Sequence, residues 1–366
     1  YYDGQFDDAR MNVAIALTAS EQGASVANHV EVTGLLKTNG KLSGAALRDT
    51  ITGETWETAA KVIINATGPF SDAIRHMDDP NAPKMLSASS GAHVVLDKRF
   101  SPPETGLLIP QTEDGRVLFL LPWLGHTLVG TTDNPAEIET HPKATEDDIA
   151  YILRHVEKYF SIPVSRADVK AAWSGLRPLV SNINASDTAK LSRDHVINIS
   201  DAGLLTITGG KWTTYRRMAE DSVDRAAQVA NLPARRCQTH RLPLHGAFPR
   251  DPDEIGFIPY GSERPLVEAI CQEEIDGEKT LAPTLPYRQG EVRWQARYEM
   301  ARTVEDVLAR RTRSLLLDAQ SAIDAAPLVA RLLAQELRHD EPWQQKQVDA
   351  FQSLARGYLL PLKKQG

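Results

Sequence analysis

The spacing of apolar and polar positions changes repeatedly along the 366-residue chain, and each change predicts an element. Asp7 and Asp8 suit the cap of a helix beginning near Ala9; Met11 to Ala19 is apolar on most sides, so this helix should be buried, with Gly23 ending it. Ala24 to Lys37 carries Val26, Val30, Val32 and Leu35 in strand-like alternation, and Leu42 to Asp49 with Glu54 to Glu57 reads as a hairpin turning at Thr52 and Gly53. Lys61 to Asn65 (KVIIN) is a short run of the buried parallel-sheet type. It empties into Ala66, Thr67, Gly68 and Pro69 before a helix start at Ser71, a place where a ligand can approach the backbone at the carboxyl end of a sheet.

From Ser87 the pattern becomes β-rich: GAHVVLD, GLLIP, RVLFLLPW and HTLVGTTD suggest a second, mostly antiparallel sheet. Glu146 to Phe160 is an amphipathic helix, and Val169 to Trp173 returns to strand. Ser174 to Leu179 leaves that strand in an extended conformation, because Pro178 holds Arg177 out of helix. Val196 to Ile199 and Leu204 to Thr208 resume the buried strands of the first layer, which makes the second sheet an insertion. Beyond about Arg235, Pro243, Pro249, Pro252, Pro259, Pro265, Pro283 and Pro286 mark a linker and a loop-rich entry. After Tyr287 a helical stripe runs through Trp294, Tyr298, Ala301, Val304 and Leu308, and two more helices follow near Ile323 to Leu337 and Gln344 to Gly357.

Gly203 to Arg217 (GLLTITGGKWTTYRR) packs three signals into one segment: a buried strand, a tight turn at Gly209 and Gly210, and a helix from Trp212 to about Ala230. A helix opening on two glycines leaves its first amides unpaired with the positive end of the dipole behind them, and so favours negative charge. It is not a nucleotide P-loop, since Leu205 stands where that pattern needs its first glycine and Trp212 where it needs Ser or Thr.

Composition adds bounds. With 42% hydrophobic and 24% charged residues the chain is ordinary globular material for about two to three domains. A net charge of -7 gives no reason to expect nucleic acid as a partner. Cys237 and Cys271 are far apart, which excludes a disulfide scaffold and a cysteine-rich metal site and fits a reducing compartment. Val117 to Leu124, broken by Pro122, is too short to span a bilayer. The chain opens on Tyr1 without methionine, signal peptide or basic leader, as expected of a processed protein or the later part of a longer one.

Four basic residues fall at strand ends: His93, Arg177, Arg193 and Lys211. Singly each has an ordinary reading: a satisfied core histidine, two surface ion-pair partners, a solvated cap. Together, at a cleft where the inserted sheet meets the Gly-Gly turn, two guanidiniums and an ammonium are what a phosphate dianion requires.

The blocks YYDGQFDDARMN (Tyr1 to Asn12), NATGPFS (Asn65 to Ser71), SGAHV (Ser90 to Val94), VLFLLPW (Val117 to Trp123), GTTD (Gly130 to Asp133), AWSGLRPL (Ala172 to Leu179), LSRDH (Leu191 to His195) and GGKWTTYR (Gly209 to Arg216) run through the chain in order and resemble FAD-dependent glycerol-3-phosphate dehydrogenases, particularly the mitochondrial type. ARRTRSLLLD is similar to that family's helical cap. The resemblance implies an α/β (α+β) protein of the D-amino-acid-oxidase-like FAD-binding fold, with an inserted antiparallel substrate sheet and a C-terminal helical cap domain. The expected division is 1-80 for the remainder of the FAD-binding domain, 81-190 for the inserted substrate domain, 191-232 for the return and 233-366 for the helical domain.

The implied activity is oxidation of sn-glycerol 3-phosphate to dihydroxyacetone phosphate, with electrons passed to a membrane quinone, ubiquinone or menaquinone. By the same resemblance His93 falls on the active-site histidine, Arg177 and Arg193 on substrate-binding arginines, and Lys211 on the lysine beside flavin and substrate. His93, Arg177 and Lys211 are the expected catalytic set, and Val30, Ala66, Thr67, Gly68, Gly209, Gly210, Lys211 and Thr213 the expected FAD contacts. The chemistry agrees: a neutral histidine suits removal of the C2 hydroxyl proton, and a helix start with a lysine suits negative charge on the reduced flavin.

Two departures accompany the likeness. No G-x-G-x-x-G turn occurs to cradle the FAD pyrophosphate, so the chain as given is expected to be a fragment that binds FAD poorly or not at all. Nothing after Gly357 supplies an EF-hand loop, so no metal site and no calcium response are expected. Peripheral association with the bacterial cytoplasmic membrane or the mitochondrial inner membrane follows from the family alone. The competing functions are a glycerol-3-phosphate oxidase using oxygen and a non-catalytic phosphometabolite-binding fragment.

Overall fold

The computed structural model describes residues 5–101, 105–113, 115–159, 163–180, 195–249 and 259–360. In chain order the elements are α1 (Asp8–Glu21), β1 (Val30–Thr38), β2 (Lys41–Asp49), β3 (Thr55–Ala59), β4 (Ile63–Asn65), α2 (Ser71–Asp78), β5 (Leu86–Asp97), β6 (Leu107–Ile109), β7 (Leu118–Trp123), β8 (His126–Gly130), β9 (Asn134–Ala136), α3 (Glu146–Glu157) and β10 (Val169–Val180). They continue with β11 (His195–Ile199), β12 (Leu204–Gly209), α4 (Tyr215–Val229), α5 (Arg264–Glu273), α6 (Gln289–Tyr298), a π-helical turn (Asp306–Arg311), α7 (Ser314–Leu317), α8 (Ala319–Leu337) and α9 (Glu341–Ala355).

Three sheets form among the described residues. The strands β1-β2-β3 make an antiparallel meander, and β11-β12-β4 a small mixed sheet in which β12 and β4 run parallel. In β12 Leu204 to Thr208 are all buried, as a central strand requires. The parallel pairing expected of Lys61 to Asn65 is present, but the full burial is not: β4 is the outer strand and Ile64 is 39% exposed.

The third sheet runs β10-β5-β8-β7-β6, with β9 beside β5, and its ladders are antiparallel. Strict alternation gives it two different faces. On one, Ala92, Val94, Leu96, Leu118, Leu120, Val129 and Ala172 pack against Ile149, Ile152, Leu153 and Val156 of α3. That helix is fixed at its start by a reciprocal cap, Asp148 N donating to Thr145 Oγ1 at 3.1 Å and Thr145 N to Asp148 Oδ2 at 3.0 Å. The segment Ser174 to Leu179 does not leave the sheet; it completes β10, where Pro178 is tolerated because β10 is an edge strand.

The C-terminal helices share one core that includes Val292, Val304, Leu308, Leu315, Ala326, Leu333 and Phe351, against which Trp123 and Trp173 of the large sheet also pack. Two expectations fail here. The proline-rich entry contains α5, with Pro265 in its first turn, where the missing amide costs nothing. The stripe from Trp294 to Leu308 is not one helix: Met300 has φ of +56°, so the chain breaks after α6 and resumes as the π-helical turn.

The first helix and strand also differ from expectation. Helix α1 is capped by Asp7 and followed by Gly23 in the left-handed region, yet only Thr18 in it is buried. Its apolar residues are spread round the axis and make no single stripe, while one side alone is fastened to the C-terminal helices, by Arg10 to Glu299 at 2.6 and 2.7 Å and Arg313 to Asp7 at 3.0 Å. Strand β1 starts at Val30 rather than Ala24 because His29, with φ of +56°, interrupts the extended run. Just before α1, Gln5 donates to the carbonyl of Pro122 at 3.3 Å and Phe6 stacks on Trp212 with ring centroids 6.5 Å apart.

Candidate active site

The second face of the large sheet carries a row of five residues, one from each strand of the main path: Trp173, His93, Gly130, Phe119 and Leu108 stand side by side in register. His93 lies along the Trp173 ring, with centroids 5.7 Å apart and planes 16° from parallel. Its other neighbour has no side chain, and a Cβ at Gly130 would fall 2.2 Å from His93 Cδ2. The Nδ1 atom is buried without a hydrogen-bond partner, unlike the satisfied core histidine of the ordinary reading. Burial, and then the positive charge of Arg177, push the imidazole down to about 4, so it is neutral at physiological pH.

Arg177 occupies the same face, since alternation along β10 from Trp173 through Gly175 returns to it. Its guanidinium rests on the bare backbone of Gly91, where a Cβ would lie 2.4 Å from Nη2. It donates to Thr131 Oγ1 at 3.1 Å, to the Thr132 carbonyl at 3.3 Å and to Asp133 Oδ1 at 3.3 Å. Asp133 also accepts from Ser89 Oγ, and Ala92 N donates to Thr132 Oγ1 at 2.9 Å, which ties the GTTD loop to β5. The Arg177 side chain is 38% exposed, so the held guanidinium still faces solvent.

The remaining candidates collect at the carboxyl ends of β4 and β12. Asn65, buried where β4 ends, donates to the Ser71 carbonyl at 2.9 Å and to Thr206 Oγ1 at 3.2 Å, and accepts from Thr67 Oγ1 at 2.7 Å. This fixes the Ala66–Gly68 turn beside β12, and Gly68 has φ of +56°. At the same end of the sheet Gly209 and Gly210 have φ of +75° and +72°. Lys211 follows, exposed and without an ion pair among the described residues; its amide donates to Thr214 Oγ1 at 3.3 Å, and Thr213 lies within the short 3-10 turn Trp212–Thr214. Strand β10 runs next to both β12 and the Gly68–Phe70 turn, so it is the element by which the two sheets meet.

The candidates therefore form two groups. His93 and Arg177 share the sheet face, while Ala66, Thr67, Gly68, Gly209, Gly210, Lys211 and Thr213 share the strand-end edge. Val30 stands apart: it opens β1 in the meander opposite Asp49, with no hydrogen bond or ion pair to either group among the described residues. Arg193 lies outside the described residues. Sequence reasoning missed Trp173, Gly91, Thr131, Asp133 and Asn65. The alternation SSGAHV against WSGLR carried a signal for the first two, since it predicts which residues share a face; the contacts of Asp133 and Asn65 bridge segments that no local pattern connects.

The sequence profile of the family described as FAD dependent oxidoreductase matches residues 1–216, and that of the C-terminal domain of alpha-glycerophosphate oxidase matches residues 257–346. The chain is 41% identical to human mitochondrial glycerol-3-phosphate dehydrogenase over an alignment that takes in 95% of this chain and 52% of that protein. It is 44% identical to the probable mitochondrial glycerol-3-phosphate dehydrogenase of Caenorhabditis elegans, with shares of 95% and 52%. Among solved structures it is similar to the glycerol-3-phosphate dehydrogenase from Bacillus halodurans complexed with FAD, with a TM-score of 0.80 and 26% identity over 99% of this chain and 75% of that one. The chain spans about half the length of the curated relatives it matches.

Proposed function

This chain belongs to the FAD-dependent oxidoreductase family, with the D-amino-acid-oxidase-like fold and a helical C-terminal domain, and from that premise we propose that it carries the substrate-oxidising site of a glycerol-3-phosphate dehydrogenase. The reaction is oxidation of sn-glycerol 3-phosphate to dihydroxyacetone phosphate. Electrons then leave to ubiquinone or menaquinone in the bacterial cytoplasmic membrane or the mitochondrial inner membrane, at whose surface the protein sits peripherally. Among the described residues no helix is long and apolar enough to cross a bilayer.

The residues present fit the flavin end of FAD. Gly209 and Gly210 turn the chain at a strand end with left-handed φ, and His93 offers a buried, unpartnered nitrogen on the neighbouring sheet face. When bound, FAD supplies the two-electron acceptor. The Gly209–Gly210 turn and Lys211 would hold it at its anionic edge, with Ala66 to Gly68 alongside. Lys211 contributes the positive charge and the turn the backbone approach.

The rest is done by side chains of this chain. Arg177, preset by Thr131, Thr132 and Asp133, binds the phosphate through its solvent-facing guanidinium, and Lys211 and Arg193 complete the positive set. His93 takes the proton of the C2 hydroxyl, and Trp173 and the Gly130 notch keep the ring in place. On this reading 1-80 and 191-232 serve the cofactor, 81-190 the substrate, and 233-366 caps the assembly. The single observation that carries the assignment is the buried, neutral imidazole of His93 sharing a face with Arg177.

The test is reduction of an artificial acceptor by glycerol 3-phosphate in the intact protein. Turnover that falls by about 10²–10⁴-fold in His93→Asn supports the assignment; a folded, flavin-loaded protein with no turnover favours the phosphometabolite-binding reading. Oxygen uptake without quinone would make it an oxidase.

A further inference from the structure

A second cluster of cations lies far along the chain from His93 and Lys211 and plays no part in the reaction above. A cleft of about 270 Å³ is lined by Ile51, Arg302, Glu336, Leu337, Arg338, His339 and Trp343. It opens at a seam. The β2–β3 turn supplies Ile51, the stretch after α6 supplies Arg302, and the joint between α8 and α9 supplies the rest. Close by, the same two bodies are held together by Asn28 Nδ2 donating to the Met300 carbonyl at 2.7 Å and by His29 pairing with Asp306 at 2.8 Å.

The charges in the cleft are unequally engaged. Glu336 is occupied by Arg293 and Arg297, at 2.7 and 2.6 Å. Arg302 and Arg338 are exposed, and neither side chain has an ion pair or hydrogen bond among the described residues. Among the described residues, Arg10, Arg311 and Arg313 at the neighbouring contacts are by contrast ion-paired. His339 stacks on Trp343 at 4.2 Å with planes 13° apart, which gives the cleft an aromatic wall. Arg338 caps α8 with φ of +59°, a position that favours glycine.

We propose that this seam cleft, through Arg302, Arg338 and His339, binds a phosphate-bearing anion against the C-terminal helices, with Ile51 of the β2–β3 turn closing one side. Two guanidiniums without carboxylate partners among the described residues supply the positive charge and the N–H donors that a phosphate group takes. The volume accommodates a small phosphorylated molecule or a single lipid headgroup.

Calorimetric titration of the intact protein with inorganic phosphate at low ionic strength tests this, with Arg177→Gln, Arg193→Gln and Lys211→Gln present throughout so that the substrate site does not contribute. Chloride at matched ionic strength is the control. The critical variant is Arg302→Ala with Arg338→Gly, the second of which relieves the left-handed backbone and so leaves folding intact. The expected result is saturable phosphate binding that weakens at least tenfold in the variant, with slower amide exchange at residues 302 and 336–339 only in the parent. Flotation with phosphatidylcholine vesicles with and without phosphatidylglycerol separates the sources. Variant-sensitive retention on the anionic vesicles identifies a headgroup site, and phosphate binding without retention identifies a soluble metabolite. Phosphate binding that the variant leaves unchanged, or that does not exceed chloride, overturns the proposal.

Discussion

The ring of His93 fills the space that a side chain at Gly130 would need: Cδ2, Cγ and Nε2 lie 2.2, 2.8 and 2.8 Å from where that Cβ would be. The histidine's position is therefore set by a residue on the neighbouring strand, distant in sequence, that has nothing to contribute but absence. Gly130→Ala must displace the imidazole, because the ring is held on its other side by Trp173. We expect kcat to fall by about 10²-fold with far-UV circular dichroism unchanged, since misplacement of about 1 Å costs that much. Unaltered kcat in the variant would separate His93 from the chemistry.

The pH dependence follows from the same ring. Burial and Arg177 hold His93 at about 4 against an ordinary value of 6.5, so the acid limb of kcat/KM governed by it lies well below the usual imidazole range. Replacing Arg177 with Gln removes one of the two depressing causes and moves that limb upward, which a pH–rate profile reads directly.

Stability carries the complementary signature. Above pH 6.5 this proton is absent from both folded and unfolded chains; as pH falls from 6.5 towards 4 the unfolded chain takes it up and the folded one does not. Stability is lost through that window and levels off below it, by at most about 3 kcal/mol from this group. Urea unfolding of His93→Gln at pH 7 and pH 5 should show a smaller acid loss than the parent protein. An equal loss would mean that the ring is solvated.

Arg177 is a fork rather than a point charge, held by Thr131, Thr132 and Asp133 above the bare backbone of Gly91. Arg177→Lys cannot reproduce that arrangement. KM for glycerol 3-phosphate should rise by roughly tenfold to a hundredfold, as loss of about 1.5–3 kcal/mol of charge-assisted hydrogen bonding implies, with a smaller effect on kcat. An effect confined to kcat would place this residue in the chemical step instead.

Glu299 is the residue on which the N-terminal helix depends. Its carboxylate is 2% exposed, accepts both Arg10 amino groups, and also accepts from Trp294 Nε1 at 3.0 Å. Glu299→Ala leaves a largely buried guanidinium without its partner, and about 3–5 kcal/mol of stability should disappear. Differential scanning calorimetry measures it; a change below about 1 kcal/mol would show that water replaces the carboxylate.

Much of the architecture could be read from residue patterns, and the failures have physical reasons. The antiparallel sheet containing β5 was legible because its β-branched and apolar runs are local, and so is the strand-turn-helix signature of Gly203 to Arg217. The helix α5 was hidden by prolines that are harmful only inside a helix, and Pro265 lies at the start of one. The breaks at His29 and Met300 depend on left-handed φ in residues that rarely adopt it, and tertiary contacts hold both: His29 to Asp306, and the Met300 carbonyl to Asn28. The Gly130 notch was invisible for a related reason. Its meaning exists only once β8 is paired with β5.

The clasp between Arg10 and Glu299 closes a span of 289 residues. Synthesis runs from α1 towards Glu299, so the side of α1 that this clasp fastens has no partner until the intervening residues have been made. Such late, long-range closure is slow and leaves an interval open to aggregation. Pairing of all three sheets can therefore be complete while α1 still lacks the carboxylate that anchors it.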